Sequence, residues 1–319
     1  MTKVLVLKEL NNNQVDQILE IVIKASETDG ARPFSEHVEL HLRSGGDRPV
    51  THLVAEDENK NIVGYAHLDT TDLVSGPSGE LVVSPNSRKK GIATLLLNEM
   101  KNQINDQPLR LWSHGDTDLA RNFATKLGFV PVRNVIQMRR SLFSQIDPLF
   151  EIQGLKFRNF EANKDSDKFL ELNKKCFVKL PDQANWTIKD LELRLKESWY
   201  KPDGFVLLEN NKNDLVGFCW TKIHGQDHEH SEYDGHTHHS HGHEPIGEIY
   251  VLGVDPEHQG KGIGKLLTLW GLNYLRRSGL DSAMLYVDSN NKNAIDLYTS
   301  LGFNFWGVDK LYTSNSYEI

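Results

Sequence analysis

Two cysteines, Cys176 and Cys219, are all that the 319 residues contain. A disulfide framework is thereby excluded, and because both lie in apolar patterns they are expected to be reduced core thiols of a cytoplasmic protein. No apolar run approaches the ~20 residues that span a bilayer. Met1-Thr-Lys-Val4 passes straight into a strand-like segment, so neither a membrane anchor nor a signal peptide is expected. A basic excess is missing as well. Lys and Arg number 36 against 44 Asp and Glu, for a net charge of −8, and nucleic acid, whose phosphates need a basic face, is not an expected partner. What remains, with 38% hydrophobic and 25% charged residues, is a soluble globular chain. Its length suits about two domains of ordinary size.

The most informative stretch covers residues 247–270. Residues 249–254 are β-branched and apolar and predict a buried strand. Asp255-Pro256 stops it, because proline cannot donate to a ladder. Gln259-Gly260-Lys261-Gly262-Ile263-Gly264-Lys265 then leads into Leu266, Leu267, Leu269 and Trp270 at helical spacing. A glycine-rich turn between strand and helix gathers unpaired amide N–H groups at the positive end of the helix dipole. That is an anion site, most often a phosphate site. The spacing fits neither the P-loop nor the dinucleotide fingerprint. Q/R-x-x-G-x-G/A in this setting resembles the pyrophosphate loop of the GCN5-related N-acetyltransferases (GNATs), which implies coenzyme A as the ligand.

The pattern occurs twice. Residues 80–83 predict a strand, Ser84-Pro85 ends it, and Arg88-Lys89-Lys90-Gly91-Ile92-Ala93 leads into Leu95, Leu96, Leu97 and Met100. Arg88 takes the place of Gln259 and Ala93 that of Gly264, at an offset of 262 − 91 = 171. Leu127-Gly-Phe129 returns as Leu301-Gly-Phe303, at 301 − 127 = 174. Two anchors at nearly one offset mean a duplicated domain. Each copy reads βααβββαβαβ. The first has a strand at 4–7, helices over 13–23 and from Ser35, and a hairpin of 51–55 with 62–68. The second has a strand at 155–158, helices over 169–177 and 187–199, and a hairpin of 205–209 with 215–223. The expected class is α/β: two tandem domains, residues 1–147 and 152–319, each a mixed, mostly antiparallel sheet flanked by helices.

Acyl transfer from a thioester to an amine needs one group to take the ammonium proton and another to protonate the leaving thiolate. Glu248 opens the strand that leads to the second loop and is the candidate base, directly or through water. Tyr298, five residues before Phe303, is the candidate acid, at the place where the GNAT family keeps a phenol near the sulfur. In the first copy the same alignments put Ala124 opposite Tyr298 and Pro77 opposite Glu248. The first domain is therefore expected to bind acyl-CoA without using it.

Beyond these motifs the chain is similar, over nearly its whole length, to the mycothiol synthases. These tandem GNATs of actinobacteria acetylate the cysteinyl amine of a glucosaminyl-inositol precursor. The likeness lies in Gly79-Glu-Leu-Val-Val83, Gln137-Met-Arg-Arg140, Gly217-Phe-Cys-Trp-Thr-Lys222, Gly247-Glu-Ile-Tyr-Val-Leu-Gly-Val-Asp-Pro256 and Leu285-Tyr-Val-Asp288. It implies that acetyl-CoA meets Leu252, Gly253, Val254, the loop from Gln259 to Lys265, and Asn291, Lys292, Asn293, Ala294, Ile295 and Asp296 in the second domain. In the first it would meet Leu81, Val82, Val83 and the loop from Arg88 to Ala93. It further implies that Glu36, Asp182, Lys222, Glu248 and Tyr286 hold the sugar and inositol hydroxyls. A monomer that needs no metal and binds neither nucleic acid nor membrane is expected. Another small amine or peptide as acceptor, and a non-catalytic acyl-CoA or metal sensor, stay open at this level.

Two departures stand out from that resemblance. Asp182 takes the place of the family's longer Glu. Eight of the 14 histidines crowd into residues 224–243, where the family keeps a short loop. With no apolar residues to pack, the run is expected to be a mobile edge of the cleft, dispensable for acetyl transfer. The competing reading is an imidazole site for zinc, nickel or copper.

Overall fold

The structure is a computed structural model that describes residues 2–44, 50–71, 76–105, 107–224 and 245–314. Of the histidine run, only His224 falls among them. The chain forms two compact units, Met1–Ile136 with Gly307–Ile319, and Gln137–Trp306. Among the described residues no helix is long and apolar enough to cross a membrane.

In chain order the elements begin with β1 (Lys3–Leu7), α1 (Asn12–Asp29), α2 (Glu36–Ser44), β2 (Val50–Glu56) and β3 (Ile62–Asp69). They continue with β4 (Ser78–Val83), α3 (Ile92–Gln103), β5 (Arg110–Ser113), α4 (Asp118–Lys126) and β6 (Val130–Ser141). In the first unit β1 to β4 pair antiparallel, and β5 joins β4 in parallel. Alternation along the strands sends Leu53, Ala55, Ala66 and Leu68 to one face, where Leu96, Leu97 and Met100 of α3 cover them. Val54, Tyr65 and Val82 meet Ile18, Val22 and Ala25 of α1, with Phe34 and Val38, on the other.

The second half comprises β7 (Leu155–Asn159), α5 (Ala162–Cys176), α6 (Pro181–Ala184), α7 (Ile188–Leu195), β8 (Phe205–Asn210) and β9 (Leu215–His224). After these come β10 (Ile246–Val254), α8 (Ile263–Arg277), β11 (Ser282–Asp288), α9 (Lys292–Ser300) and β12 (Asn304–Thr313). Strands β7 to β10 pair antiparallel and β11 is parallel to β10. The core on the α5 and α7 side is aromatic: Phe160, Phe169, Phe205, Phe218, Trp199 and Trp220 pack with Val251. The ring of Phe205 stacks on Trp220 at 4.4 Å. Cys176 is partly buried against this core, while Cys219, between Phe218 and Trp220 in β9, is fully buried on the other side of the sheet beside Gly271 of α8. Both are free thiols, and burial pushes each thiol pKa up.

Strands β6 and β12 each serve both units, changing membership between Ile136 and Gln137 and between Trp306 and Gly307. From Lys310 to Thr313, β12 pairs antiparallel with β5, and Leu109 N–H donates to Ser314 Oγ across 205 residues of sequence. The division at residues 147–152 follows order along the chain, and nothing in local periodicity announces a strand that pairs so far upstream.

Candidate active site

The two glycine-rich loops have one geometry. After β10 a single 3-10 turn, Pro256–His258, leads to Gln259, Gly260 (φ 75°) and Gly262 (φ 82°), and α8 starts at Ile263. After β4 the turn Pro85–Ser87 leads to Arg88, Lys89 (φ 61°) and Gly91 (φ 80°), and α3 starts at Ile92. Gly262 and Gly91 are left-handed, which only glycine adopts without strain. Asn11, Thr117, Thr187 and Asn291 cap α1, α4, α7 and α9 with a side-chain oxygen. The glycines at the heads of α3 and α8 offer none. A missing cap costs about 1 kcal/mol, and it leaves the first-turn amides available to an anion. No acidic residue stands in either first turn. These donors and the helix dipole suit the diphosphate of coenzyme A.

The side chain ahead of each glycine shapes the loop. Gln259 Nε2 donates to Val254 O at 3.4 Å, and Arg88 Nε donates to Val83 O at 3.2 Å. Arg88 also forms a bidentate pair with Asp29 of α1, both contacts 2.7 Å, so its guanidinium braces the loop. Lys261 and Lys90 fold back onto the carbonyls of Glu257 and Asn86. Lys265 pairs with Asp147 at 3.1 Å.

The second unit opens where β10 and β11 part. Their parallel register covers Gly247↔Ala283, Glu248↔Met284 and Ile249↔Leu285, while β10 stays paired with β9 as far as Val254. A bulge between Ile249 and Val251 accompanies the parting. Bulges sharpen the local twist and re-aim side chains, commonly beside active sites. Beyond it, Leu252, Gly253 and Val254 keep their β9 partners and lie past the β11 register. Glycine is required at 253, where a Cβ would lie 2.5 Å from the Phe218 ring.

Glu248 is 6% exposed. His224 Nε2–H donates to its Oε2 at 2.6 Å. Lys222, opposite Glu248 in the ladder, holds its ammonium 4.6 Å from the Trp199 ring and 5.5 Å from that of Tyr250. Tyr298, on α9, is 8% exposed, and burial raises its phenol well above the ordinary range, so it carries its proton throughout the neutral range. Tyr286 is 43% exposed, one residue beyond the last β10–β11 pair. Asn291 spends its side-chain oxygen on the N–H of Ala294 at 3.2 Å, and Lys292, Asn293 and Asp296 lie on the exposed first turns of α9.

The first unit departs from this. Ladder register equates Ser78↔Asp69 with Glu248↔Lys222. Ser78, and not Pro77, therefore faces the position of the base, because β10 carries one extra residue at its bulge and β4 does not. Ala124 holds the place of Tyr298: Phe129 N–H donates to Ala124 O just as Phe303 N–H donates to Tyr298 O. The same registers equate His52↔His67 with Phe205↔Trp220, and His67↔Glu80 with Trp220↔Val251. Three core positions of the second unit, Phe205, Trp220 and Val251, are thus His52, His67 and Glu80 in the first. Glu80, 5% exposed, accepts Ser35 N–H at 2.7 Å and faces His114 Nε2 at 3.5 Å, while His114 Nδ1 meets Asp309 at 3.0 Å. Burial opposes the charge on His114, and the bonds to Asp309 and Glu80 outweigh it, raising its pKa to about 10.

Glu36 opens α2 in the first unit and is half-buried. Asp182 lies in the short helix α6, and its side chain lies outside what the structure describes. Sequence reasoning missed His224 as the partner of Glu248. The available signal was register, since His224 and Glu248 are diagonal neighbours of one antiparallel pair, flanking Ile246↔His224 and Glu248↔Lys222.

The comparisons with known proteins agree with this geometry. The model described as Acetyltransferase (GNAT) family matches residues 166–303, and the one described as Acetyltransferase (GNAT) domain matches residues 48–131. Proteins named mycothiol acetyltransferase are similar over most of the chain. The one from Acidothermus cellulolyticus is 44% identical, covering 93% of this chain and 90% of its own length, and the one from Streptosporangium roseum is 41% identical, covering 95% and 96%. Among solved structures, a tandem GNAT protein from the clavulanic acid biosynthesis pathway superposes with a TM-score of 0.73 at 16% identity, covering 100% of both chains. A GCN5-related N-acetyltransferase from Sphaerobacter thermophilus gives 0.65 at 20% identity, covering 97% of this chain and 95% of its own. At such identities the last two bear on the fold alone.

Proposed function

The chain belongs to the mycothiol acetyltransferase family of tandem GNAT proteins, and from that premise we propose that it acetylates the cysteinyl amine of desacetylmycothiol, a cysteinyl-glucosaminyl-inositol, with acetyl-CoA, giving mycothiol and CoA. The observation that carries the reading is the buried Glu248, bonded to His224 at the parting of β10 and β11, with the protonated Tyr298 in the same unit. Acetyl-CoA supplies an acyl carbon activated as a thioester. The amides at the head of α8 and the loop before it hold the diphosphate, and the edge of β10 past Ile249 aligns the amide-bearing arm. Alignment alone is worth several kcal/mol of barrier, of the order of 7 or more in well-oriented systems. Glu248 takes the ammonium proton, His224 fixes the carboxylate, and Tyr298 returns a proton to the leaving thiolate. Lys222 and Tyr286 hydrogen-bond the acceptor's hydroxyls. The first unit, with its intact loop and no counterpart of either proton-transfer group, binds acyl-CoA without turnover.

A cytoplasmic monomer without nucleic-acid or membrane partners is part of the same proposal, supported by the net charge of −8 and by the lack of a membrane-crossing helix among the described residues. The test is release of free CoA from acetyl-CoA with a panel of amines. Cysteinyl-glucosaminyl-inositol should be preferred by orders of magnitude over peptides and aminoglycosides. Equal turnover of a peptide would sink the choice of acceptor, and no turnover with any amine would favour a sensor.

A further inference from the structure

Gln137-Met-Arg-Arg140 is left without a role by this reaction. Its side chains alternate between the two sides of β6. Met138 and Arg140 are buried, and Arg140 donates to the carbonyls of Leu301, Ser144 and Gln145. Gln137 and Arg139 stay half-exposed on the opposite side. There Gln137 Nε2 donates to Tyr286 Oη at 2.6 Å and lies 3.5 Å from Met284 Sδ. Gln137 Oε1 in turn accepts from Arg139 Nε at 3.3 Å. The Arg139 guanidinium rests 4.1 Å from the centroid of the Trp306 indole, and that indole is 61% exposed.

Register joins this group to the base. Lys222, Glu248 and Met284 are opposite one another on β9, β10 and β11, so their side chains share one side of the sheet, and Tyr286, two residues on, shares it too. Gln137 touches both Met284 and Tyr286. One side of the second unit's sheet therefore carries Lys222, Glu248, Tyr286, Gln137, Arg139 and Trp306 in sequence. It passes from a buried carboxylate to an exposed indole. β6 neighbours β11, which neighbours β10, so at about 4.8 Å per strand β6 stands roughly 10 Å from β10. A ligand with its amine at Glu248 reaches that far with its distal ring.

We propose that Gln137, Arg139 and Trp306 extend the Tyr286 site into a subsite for the acceptor ring farthest from the amine, a neutral polyhydroxylated ring. The phenol, amide and guanidinium supply donors and acceptors for hydroxyls, and the indole supplies a flat apolar surface for the ring's C–H face. The proposal rests on the acceptor named above and deepens it.

Steady-state kinetics on the full chain with two acceptors tests it: cysteinyl-glucosaminyl-inositol, and cysteinyl-glucosamine without the inositol. Gln137→Ala, Arg139→Ala and Trp306→Ala should each raise KM for the larger acceptor about tenfold, and shrink the parent's preference for it over the smaller. Trp306→Phe, which keeps a flat ring, should restore most of that preference. All three side chains are surface groups, so unchanged melting curves will separate recognition from folding. A parent that prefers the larger acceptor and variants that prefer it equally overturn the subsite and leave the reaction standing. A parent that acetylates neither acceptor overturns the reaction, and the subsite with it.

Discussion

Glu248 holds its place through three contacts of different kinds: a ladder partner in Lys222, a hydrogen bond from His224, and burial that keeps bulk water from its carboxylate. Glu248→Gln should lower kcat by roughly 10²–10⁴-fold, with KM for acetyl-CoA near the parent's, measured by CoA release. His224→Gln should cost about tenfold, because the carboxylate keeps its position in the strand and loses only its brace. Tyr298→Phe should slow thiolate departure, visible as a lowered kcat. Parent-like turnover in Glu248→Gln would remove it from the mechanism. Glu248 and Tyr298 were legible in the sequence because each sits at a fixed distance from a motif of the family. His224 was not, since its chain neighbours are a compositional run and its partner lies across a strand pair.

The loop that joins strand to helix is the element that was easiest to read. Glycine at two left-handed positions, Gly260 and Gly262, proline after the strand and leucines at helical spacing all state one conformation. Gly262→Glu would place a β-carbon at φ 82°, a strain of about 1–2 kcal/mol, and a negative charge where the diphosphate is received. It should abolish acetyl transfer. Gly91→Glu should remove acyl-CoA from the first unit, by equilibrium dialysis, yet leave much of the turnover. Two folded and equally inactive variants would contradict the unequal roles of the loops. The bulge in β10 could not be read, because Ile249-Tyr-Val251 alternates like any strand, and Pro77 was set against Glu248 for that reason. Helix α7 ends at Leu195 although its pattern continues to Trp199. The indole, 7% exposed in the aromatic core, outweighs one more helical turn.

On the scale of the whole molecule, the first unit carries histidines that respond to pH in opposite senses. Burial, with His41 and Lys8 nearby, lowers the pKa of His52 to about 4, and burial lowers that of His67 to about 3 against the pull of Glu80. Their neutral forms are the ones folded. Stability from them is complete above an unfolded pKa near 6.5 and is lost as the pH falls from there. His114, raised to about 10, acts in the opposite sense: its contribution is complete below about 6.5 and fades as the pH rises through its folded value. The first unit should therefore be most stable near neutrality and weaken on both sides, as calorimetry at pH 5, 7 and 9.5 would register. An unchanged transition between pH 5 and 7 would mean that His52 and His67 are not held neutral. Duplication was plain in the sequence. What the copies do with their interiors was hidden, because a histidine in a strand pattern reads as a polar position until register sets it against a tryptophan.

The exchange of β12 has a consequence for how the chain is made. A ribosome delivers residues 1–136 before residues 137–306 and residues 307–314 after both, so the first unit waits for the whole of the second before it can take up its β12 segment. Until then His114 lacks Asp309, and Asp116 lacks both Lys310 at 2.8 Å and the Tyr312 hydroxyl at 3.0 Å. The unit begun earlier is the one locked later. A chain cut between residues 306 and 309 would be felt most in the unit whose larger part had been translated before the break.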